Sequence, residues 1–432
     1  MAKLDGGALI GRILKEQNVK YMFAINGAHI FPILGNLMNN DIKLIHMRHE
    51  QATAYAADGY ARSTGTPGVC CVTAGCGLTN ALTGLCTADQ TNSSVICLSG
   101  QHPLTEDNIG SFQEAYGSEI MRTFSKFSKR VLDWSTIEID MRQAFREAMS
   151  PPQGVSLLEI PINVLYHEDD ETKQRRGAKI YDQGALSSQG DPLQIERAVE
   201  LIYNAKKPLI AGGDGIFWSK AGPELKEFAE LTNTPVYCRR AGQGAVDEAS
   251  PLAIRGAWKK PFTGEADVVL AIGFKFWSGE KFGDMPTWND KANYIQVDSS
   301  AQRVGWHVPA TVGIVGDPKL VLRQMIDKIK EMKLDFSAKR ESPWFKMLAE
   351  VRGNYEKLIS DREKENHNTM PIHPDRLVKD LVSVIDKDAT LVIDSFTLSG
   401  YTSQWFNTHF PGQVVDAGPL APVGHGVGMG IG

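Results

Sequence analysis

The sequence predicts an α/β fold built from doubly wound parallel sheets, arranged as three consecutive domains. Three observations predict it. Short apolar, strand-like runs alternate with helical patterns from residue 7 to residue 99, the alternation resumes near Pro192, and it starts a third time at His373. At 432 residues the chain is also too long for one ordinary core.

Each element follows from a local pattern. Residues 7–17 read as a helix, 21–25 as a short strand and 30–39 as a helix. Residues 42–45 read as a strand, 51–64 as an Ala-rich helix, and 67–73 as a strand ending at Ala74-Gly75-Cys76-Gly77. A helix over 78–89 and a strand over 94–99 follow. Sheets of this kind place ligands outside the carboxyl ends of their strands, so the loops 26–29, 48–50, 74–77 and 100–103 are where a site is expected. A polar, charged stretch from His167 to Asp191 reads as a linker. A second α/β domain opens with helix 194–203 and strand 208–212. It continues through strands 268–273 and 294–298 and closes with helix 318–332. The charged segment 333–368 leads to a third domain, in which His373-Pro374-Asp375 precedes a helix and a strand over 390–394. Residues 423–432 read as a Gly-rich turn.

Composition excludes several classes. With 42% hydrophobic and 22% charged residues and a net charge of -5, the chain is that of a soluble globular protein. Lys and Arg are scattered, which argues against a nucleic-acid partner. Apolar runs such as residues 268–272 are far too short to span a membrane, and the first residues lack the apolar stretch of a signal peptide. A cytoplasmic protein without a membrane partner is therefore expected. The six cysteines (Cys70, Cys71, Cys76, Cys86, Cys97 and Cys238) contain no Cys-x-x-Cys pair. Cys70 and Cys71 point to opposite faces of one strand, so reduced thiols are expected, with Cys76 set apart in a Gly-flanked loop.

The most informative segment is Arg48-His49-Glu50-Gln51-Ala-Thr-Ala-Tyr-Ala-Ala-Asp58-Gly59-Tyr60-Ala-Arg62. A Glu in a first helical turn is ordinarily a solvated residue favoured by the macrodipole. With these flanks the segment resembles the activating-glutamate region of thiamine diphosphate (ThDP) enzymes of the acetolactate synthase, benzaldehyde lyase and 2-hydroxyacyl-CoA lyase group. The resemblance implies that Glu50 holds N1′ of the aminopyrimidine, which promotes formation of a C2 ylid. The cofactor then carries the chemistry and the protein tunes it. Gly27-Ala28-His29 resembles the strand-end motif of benzaldehyde lyase-like members, which implies proton transfer to and from substrate by His29. Taken alone, His29 would read as a helix-start residue bonded to backbone. Ser111-Phe112-Gln113-Glu114 is similar to the Phe-Gln-Glu segment of the acetolactate synthase and hydroxyacyl-CoA lyase branches, which implies that Gln113 meets a substrate oxygen. Thr73-Ala74-Gly75-Cys76-Gly77-Leu78-Thr79-Asn80 matches the family's Thr/Ser-x-Gly-Pro-Gly-x-x-Asn turn, with Cys76 replacing Pro, and implies cofactor contacts from Thr73 and Asn80.

Ser395, Phe396 and Thr397, between a strand and a helix, resemble the turn that meets the cofactor diphosphate at a helix N-terminus. Gly424-His425-Gly426-Val427-Gly428 aligns with Gly/Ser-Met-Gly-Val/Phe-Gly, where a large apolar residue props the cofactor into its bent shape. Here His425 occupies that position beside Gly424. Family members hold Mg²⁺ through Gly-Asp-Gly followed by Asn. Gly213-Asp214-Gly215 lacks that Asn, so the resemblance puts the Mg²⁺ ligands beyond residue 432 and implies an incomplete third domain. The implied division is residues 1–170 for aminopyrimidine binding, 190–335 for a central domain and 369–432 for the start of a diphosphate-binding domain. The central domain resembles one that binds FAD, ADP or nothing in different members. Asp298 could take ribose hydroxyls and residues 211–215 form a loose Gly turn, both read equally as structural residues.

The activity implied is a ThDP-dependent carbon–carbon lyase or carboligase acting on 2-hydroxyacyl-CoA or 2-hydroxy ketone substrates, through the ylid and a carbanion/enamine. An acetolactate synthase-like carboligase that decarboxylates pyruvate is the alternative. A non-catalytic relative of the same fold is a third reading if Gly432 ends the chain. A dehydrogenase is disfavoured, because the terminal glycines recur at every second residue instead of as Gly-x-Gly-x-x-Gly. The resemblance also implies self-association to a dimer or tetramer, with Ala52, Ala54, Ala56 and Ala57 facing a partner helix.

Overall fold

A computed structural model describes residues 3–177 and 186–432. Met1, Ala2 and residues 178–185 of the expected linker lie outside the described residues. The chain forms an α/β fold in two compact units, residues 1–186 with 416–432, and residues 187–415.

In the first unit, β1 (Lys3–Asp5) leads into the helix Gly6–Glu16, which is N-capped by Asp5 accepting from the Ala8 N–H at 2.7 Å. The strands β2 (Tyr21–Ala24), β3 (Lys43–His46), β4 (Gly68–Val72), β5 (Val95–Gln101), β6 (Phe127–Arg130) and β7 (Val155–Pro161) form one parallel sheet in the order β3-β2-β4-β5-β7-β6. One face carries Val69, Cys71, Ile96, Leu98, Leu158 and Ile160, packed with Leu9, Ile10 and Ile13 and with Met141 and Phe145 of the helix Ile137–Met149. Each such buried aliphatic side chain contributes about 1.5–3 kcal/mol. The helices Glu50–Thr64 and Cys76–Gln90 pack against β4 and β5. Cys70 lies opposite Cys97 in the β4–β5 register, and all six thiols are free.

Several elements differ from the sequence expectation. The helix expected over 30–39 is broken into a 3-10 turn Ala28–Ile30, a short helix Phe31–Gly35 and a second 3-10 turn Met38–Asn40. Asn36 and Asn40 donate side-chain hydrogen bonds to the carbonyls of Pro32 and Asn36. The loop expected at 74–77 is shorter, because Cys76 already starts a helix. The first part of the expected linker belongs to the unit: β8 (Glu168–Asp170) pairs antiparallel with β1, and Gln174 donates to Trp134 O at 2.6 Å. The Gly-rich end, expected as a turn, is the helix His425–Ile431. Its glycines permit close docking on Glu50–Thr64. A Cβ on Gly428 would lie 2.9 Å from Tyr55 Cβ, and one on Gly432 would lie 1.9 Å from Ala56 O. The Ala-rich helix is thus packed against two helices of its own chain, Cys76–Gln90 and His425–Ile431.

In the second unit, β9 (Pro208–Gly212), β10 (Val236–Cys238), β11 (Ala253–Ile254), β12 (Val268–Ile272), β13 (Asn293–Asp298) and β14 (Val312–Val315) form a parallel sheet in the order β11-β10-β9-β12-β13-β14. The helices Pro192–Asn204 and Pro318–Glu331 are capped by Asp191 and Asp317. The charged segment read as a connection contains the 24-residue helix Pro343–Asn366, with Trp344 and Leu348 buried against the unit's aromatic cluster. The helix Pro374–Val384 and the strands β15 (Leu391–Ile393) and β16 (Val414–Asp416) follow, with the helix Leu398–Trp405 between the strands.

Candidate active site

The strand order β3-β2-β4-β5 reverses between β2 and β4, the switch point at whose carboxyl ends sheets of this kind bind ligands. Five of the residues singled out by sequence lie on strand ends or helix starts around it. His29 follows β2, Glu50 follows β3, Thr73 follows β4 and Asn80 lies one turn into the next helix. Gln113 sits in the loop after β5.

Glu50 is the first residue of its helix. His49 caps that helix through Nδ1, which accepts from the Gln51 N–H at 3.1 Å. The Glu50 side chain is half-buried, and Asn80 Nδ2 donates to its Oε2 at 3.1 Å. Among the described residues Oε1 accepts no hydrogen bond.

His29 is 5% exposed, with Nδ1 3.3 Å from Thr73 Oγ1 and its ring stacked on Phe112 at a centroid distance of 6.1 Å. Burial holds its pKa below the ordinary value, the charge of His102 adds to this, and a hydrogen bond donated to the Gln113 side chain opposes it. His29 is therefore held toward the neutral form, which can accept a proton.

Gln113 adopts a left-handed conformation (φ 59°), and its Nε2 lies 3.3 Å from Cys76 Sγ. Gly75 (φ 55°, ψ −104°) makes room for it, because a Cβ there would lie 2.5 Å from Gln113 O. Glu114, whose Oε1 accepts from Asn108 N at 2.6 Å and Tyr116 Oη at 2.8 Å, pins the loop together with its Oε2, which accepts from Gly110 N and Ser111 N. These bonds, led by that from Tyr116, hold its carboxyl below the usual range.

Sequence reasoning expected a site at loop 100–103 but gave Gln101 no partner and missed Glu159. Gln101 Nε2 donates to Glu159 Oε1 at 2.7 Å, and Glu159 also accepts from Gly117 N at 2.8 Å. Burial raises the Glu159 pKa. The available signal was a polar Gln-His pair closing an apolar strand.

The remaining expected residues are placed elsewhere. Ser395, Phe396 and Thr397 precede the helix Leu398–Trp405 in the second unit, with Phe396 and Thr397 exposed and the Ser395 N–H donating to Asp394 Oδ1. Gly424 (φ 85°) precedes the terminal helix in the first unit. His425 is fully buried, with Nδ1 3.0 Å from Pro422 O and its ring edge-on to Tyr55. Asp214 starts a short helix and accepts from Ala241 N at 3.2 Å, a packing role. Among the described residues no group of three or more His, Cys, Asp or Glu could hold a metal ion.

The chain is similar to known proteins over almost its whole length. The family described as thiamine pyrophosphate enzyme, N-terminal TPP binding domain, matches residues 4–120, and the thiamine pyrophosphate enzyme central domain matches residues 195–325. The chain is 31% identical to a probable acetolactate synthase large subunit of Methanocaldococcus jannaschii and 30% identical to one of Methanococcus aeolicus. Each alignment covers 99% of this chain and 73% of the relative. It is 27% identical to a 2-hydroxyacyl-CoA lyase of Arabidopsis thaliana, over 99% of this chain and 75% of that protein. With a carboxylate, an imidazole and two amides gathered at the switch point of a parallel sheet, the chain belongs to the thiamine pyrophosphate-dependent enzymes of the acetolactate synthase and 2-hydroxyacyl-CoA lyase group.

Proposed function

We propose that this chain is a ThDP-dependent carbon–carbon lyase or carboligase acting on 2-hydroxyacyl-CoA or 2-hydroxy ketone substrates. The observation that carries the reading is a neutral-leaning His29 flanked by Thr73, Phe112 and Gln113, with Glu50 at the end of the neighbouring strand. The residues present fit the aminopyrimidine half of ThDP. Glu50 offers one carboxylate oxygen to a ring nitrogen while Asn80 steadies the other. When bound, ThDP supplies a nucleophilic carbon and delocalises the charge left by carbon–carbon cleavage.

The chain's own side chains do the rest. Glu50 shares a proton at its oxygen. His29, oriented by Thr73, takes a proton from a substrate hydroxyl or returns one to a carbonyl oxygen. Gln113 donates an uncharged hydrogen bond to that oxygen, and Phe112 shields the pair from water on one side. Ser395 and Thr397, with the N–H groups that start the helix Leu398–Trp405, would serve the diphosphate, and Gly424 and His425 would flank the cofactor. No step here runs through Mg²⁺, for which the described residues offer no ligand cluster.

In the central unit, Lys275, Arg240 and Arg303 near the carboxyl ends of the strands favour an anionic nucleotide such as ADP or FAD, with Asp298 beside them. The proposed division into domains 1–170, 190–335 and 369–432, a cytoplasmic location and a dimer or tetramer belong to the same reading.

Pyruvate condensation to acetolactate is the second reading, favoured by the names of the most similar relatives. A product screen with ThDP and Mg²⁺ separates the two. Reversible release of formyl-CoA and a carbonyl compound from a 2-hydroxyacyl-CoA supports the first reading, and acetolactate from pyruvate replaces it with the second.

A further inference from the structure

The strand that ends behind His29 carries a chain of polar groups that the chemistry above does not use. Gln101 and His102, both fully buried, close β5. Gln101 Nε2 donates to Glu159 Oε1 and to Ala115 O, two acceptors, so the other amide atom must be the oxygen. That oxygen accepts from the His102 backbone N–H at 2.9 Å and lies 2.6 Å from His102 Nδ1. Nδ1 must therefore carry hydrogen. Across the ring, Nε2 lies 2.7 Å from Asp107 Oδ1. Arg130 grips both oxygens of the same carboxylate at 2.9 and 2.7 Å, so Asp107 is an acceptor, and Nε2 carries hydrogen too.

We propose that His102 donates from both ring nitrogens, as a cation, and serves as the positioning residue that braces loop 104–116 and sets the protonation of His29. The claim deepens the reading of His29 as the proton-transfer group and rests on it for its functional meaning. A ring that donates twice is an imidazolium, and its surroundings compensate that charge. Asp107 bonds it and Glu114 Oε1 lies 3.9 Å from Nε2, with Arg130 the opposing cation. Tyr116 lies edge-on at a centroid distance of 6.0 Å. Glu159, joined to the ring through Gln101, is the third carboxylate of the group.

The brace is mechanical as well. Asp107 lies near the start of the loop whose far end presents Phe112 and Gln113, and Leu104 N–H adds a bond to Asn163 Oδ1 at 3.0 Å. His29 packs against the same strand end, where a Cβ on Gly100 would lie 2.6 Å from His29 Cβ. A positive charge there opposes protonation of His29, in the same direction as burial.

The test is nitrogen NMR of the full chain with ¹⁵N-labelled histidine. Both His102 nitrogens should report bound protons at neutral pH. In Asp107→Asn one of them should lose its proton, and in His102→Gln the titration midpoint of His29 should move upward. The acidic limb of the kcat/KM profile should move with it. An unprotonated His102 nitrogen at neutral pH in the wild-type protein overturns the proposal. So does an unmoved His29 midpoint in His102→Gln that retains its circular dichroism spectrum. If that variant does not fold, the wild-type spectrum and Asp107→Asn still decide. Full turnover by His29→Ala would instead remove the catalytic reading of His29 and leave the NMR result standing.

Discussion

Gly75→Ala perturbs the candidate site through the backbone without removing any functional group. Gly75 combines φ 55° with ψ −104°, the mirror image of the extended region, which side-chain-bearing residues avoid. Forcing Ala into such a conformation costs about 1–3 kcal/mol. The new Cβ would also lie 2.5 Å from Gln113 O, whereas ordinary contact begins at 3.4 Å, so the loop must retreat by roughly 0.9 Å. Together these effects amount to about 2–4 kcal/mol, or roughly 5–12 °C in melting temperature for a unit of this size. Displacement of a positioning group by about 1 Å costs on the order of 10²-fold in turnover. Gly110→Ala is the control: it also has a positive φ (79°), but no atom lies within 4 Å of its Cβ, so it carries backbone strain alone. Thermal unfolding and turnover of both variants should show Gly75→Ala clearly the worse. Equal melting temperatures with unchanged turnover would refute the Gly75–Gln113 contact on which the placement of Gln113 depends.

Other substitutions test separate parts of the site. Glu50→Gln should slow C2 proton exchange of bound ThDP by about 10²-fold or more, since a carboxamide cannot share the proton, and wild-type exchange by NMR would contradict the role of Glu50. His29→Ala should lose most turnover while ThDP affinity by calorimetry stays near wild type; a matching loss of affinity would make His29 structural. His29 also predicts a pH effect. Its folded-state pKa is lowered, so between that value and the ordinary 6.5 the unfolded chain binds more protons and stability rises with pH. His29→Gln should flatten this slope in denaturant titrations. Arg62, 4% exposed, lies 3.7 Å from the fully buried Asp58 and donates to Asp416 O at 2.6 Å. Arg62→Leu should cost about 3–5 kcal/mol by leaving Asp58 without its cation, with much of the loss recovered in the double variant with Asp58→Asn.

Several strands were legible because they are short, apolar and bounded by turn residues, although β10, β11 and β14 were not read. The pattern at 208–212 matches β9 residue for residue, and that at 268–273 overshoots β12 by one. β6 (Phe-Ser-Lys-Arg) was not, because its half-buried residues at the sheet edge leave no apolar run to read. β7 was not read either, although it is fully buried, and nor was the charged helix Ile137–Met149 before it. The terminal helix failed for a deeper reason. Glycine at alternate positions opposes a helix by propensity, and only docking against Glu50–Thr64 offsets that cost. That contact joins positions more than 350 residues apart, such as Gly59 and Met429, and no local pattern encodes it.

The site shows the same division between local and distant information. In the segment that carries the family resemblance, Glu50 is the one residue to which the proposed function gives a chemical role. Asp58, Gly59 and Arg62 are packing devices: Gly59 admits the backbone of Met429, and Asp58 and Arg62 form a buried ion pair that reaches Asp416. Burial raises the Asp58 pKa more than Arg62 pulls it down, so the attraction within the pair only partly offsets its desolvation. A motif can therefore mark a family even though most of its residues pack the fold. The chemistry needs a carboxylate at one end of a helix, and the helix needs the rest to hold that end still. The Gln101–His102–Asp107–Arg130 chain is the counterpart without a motif. Its members are scattered over β5, the following loop and β6, so it becomes visible only when the sheet brings them together.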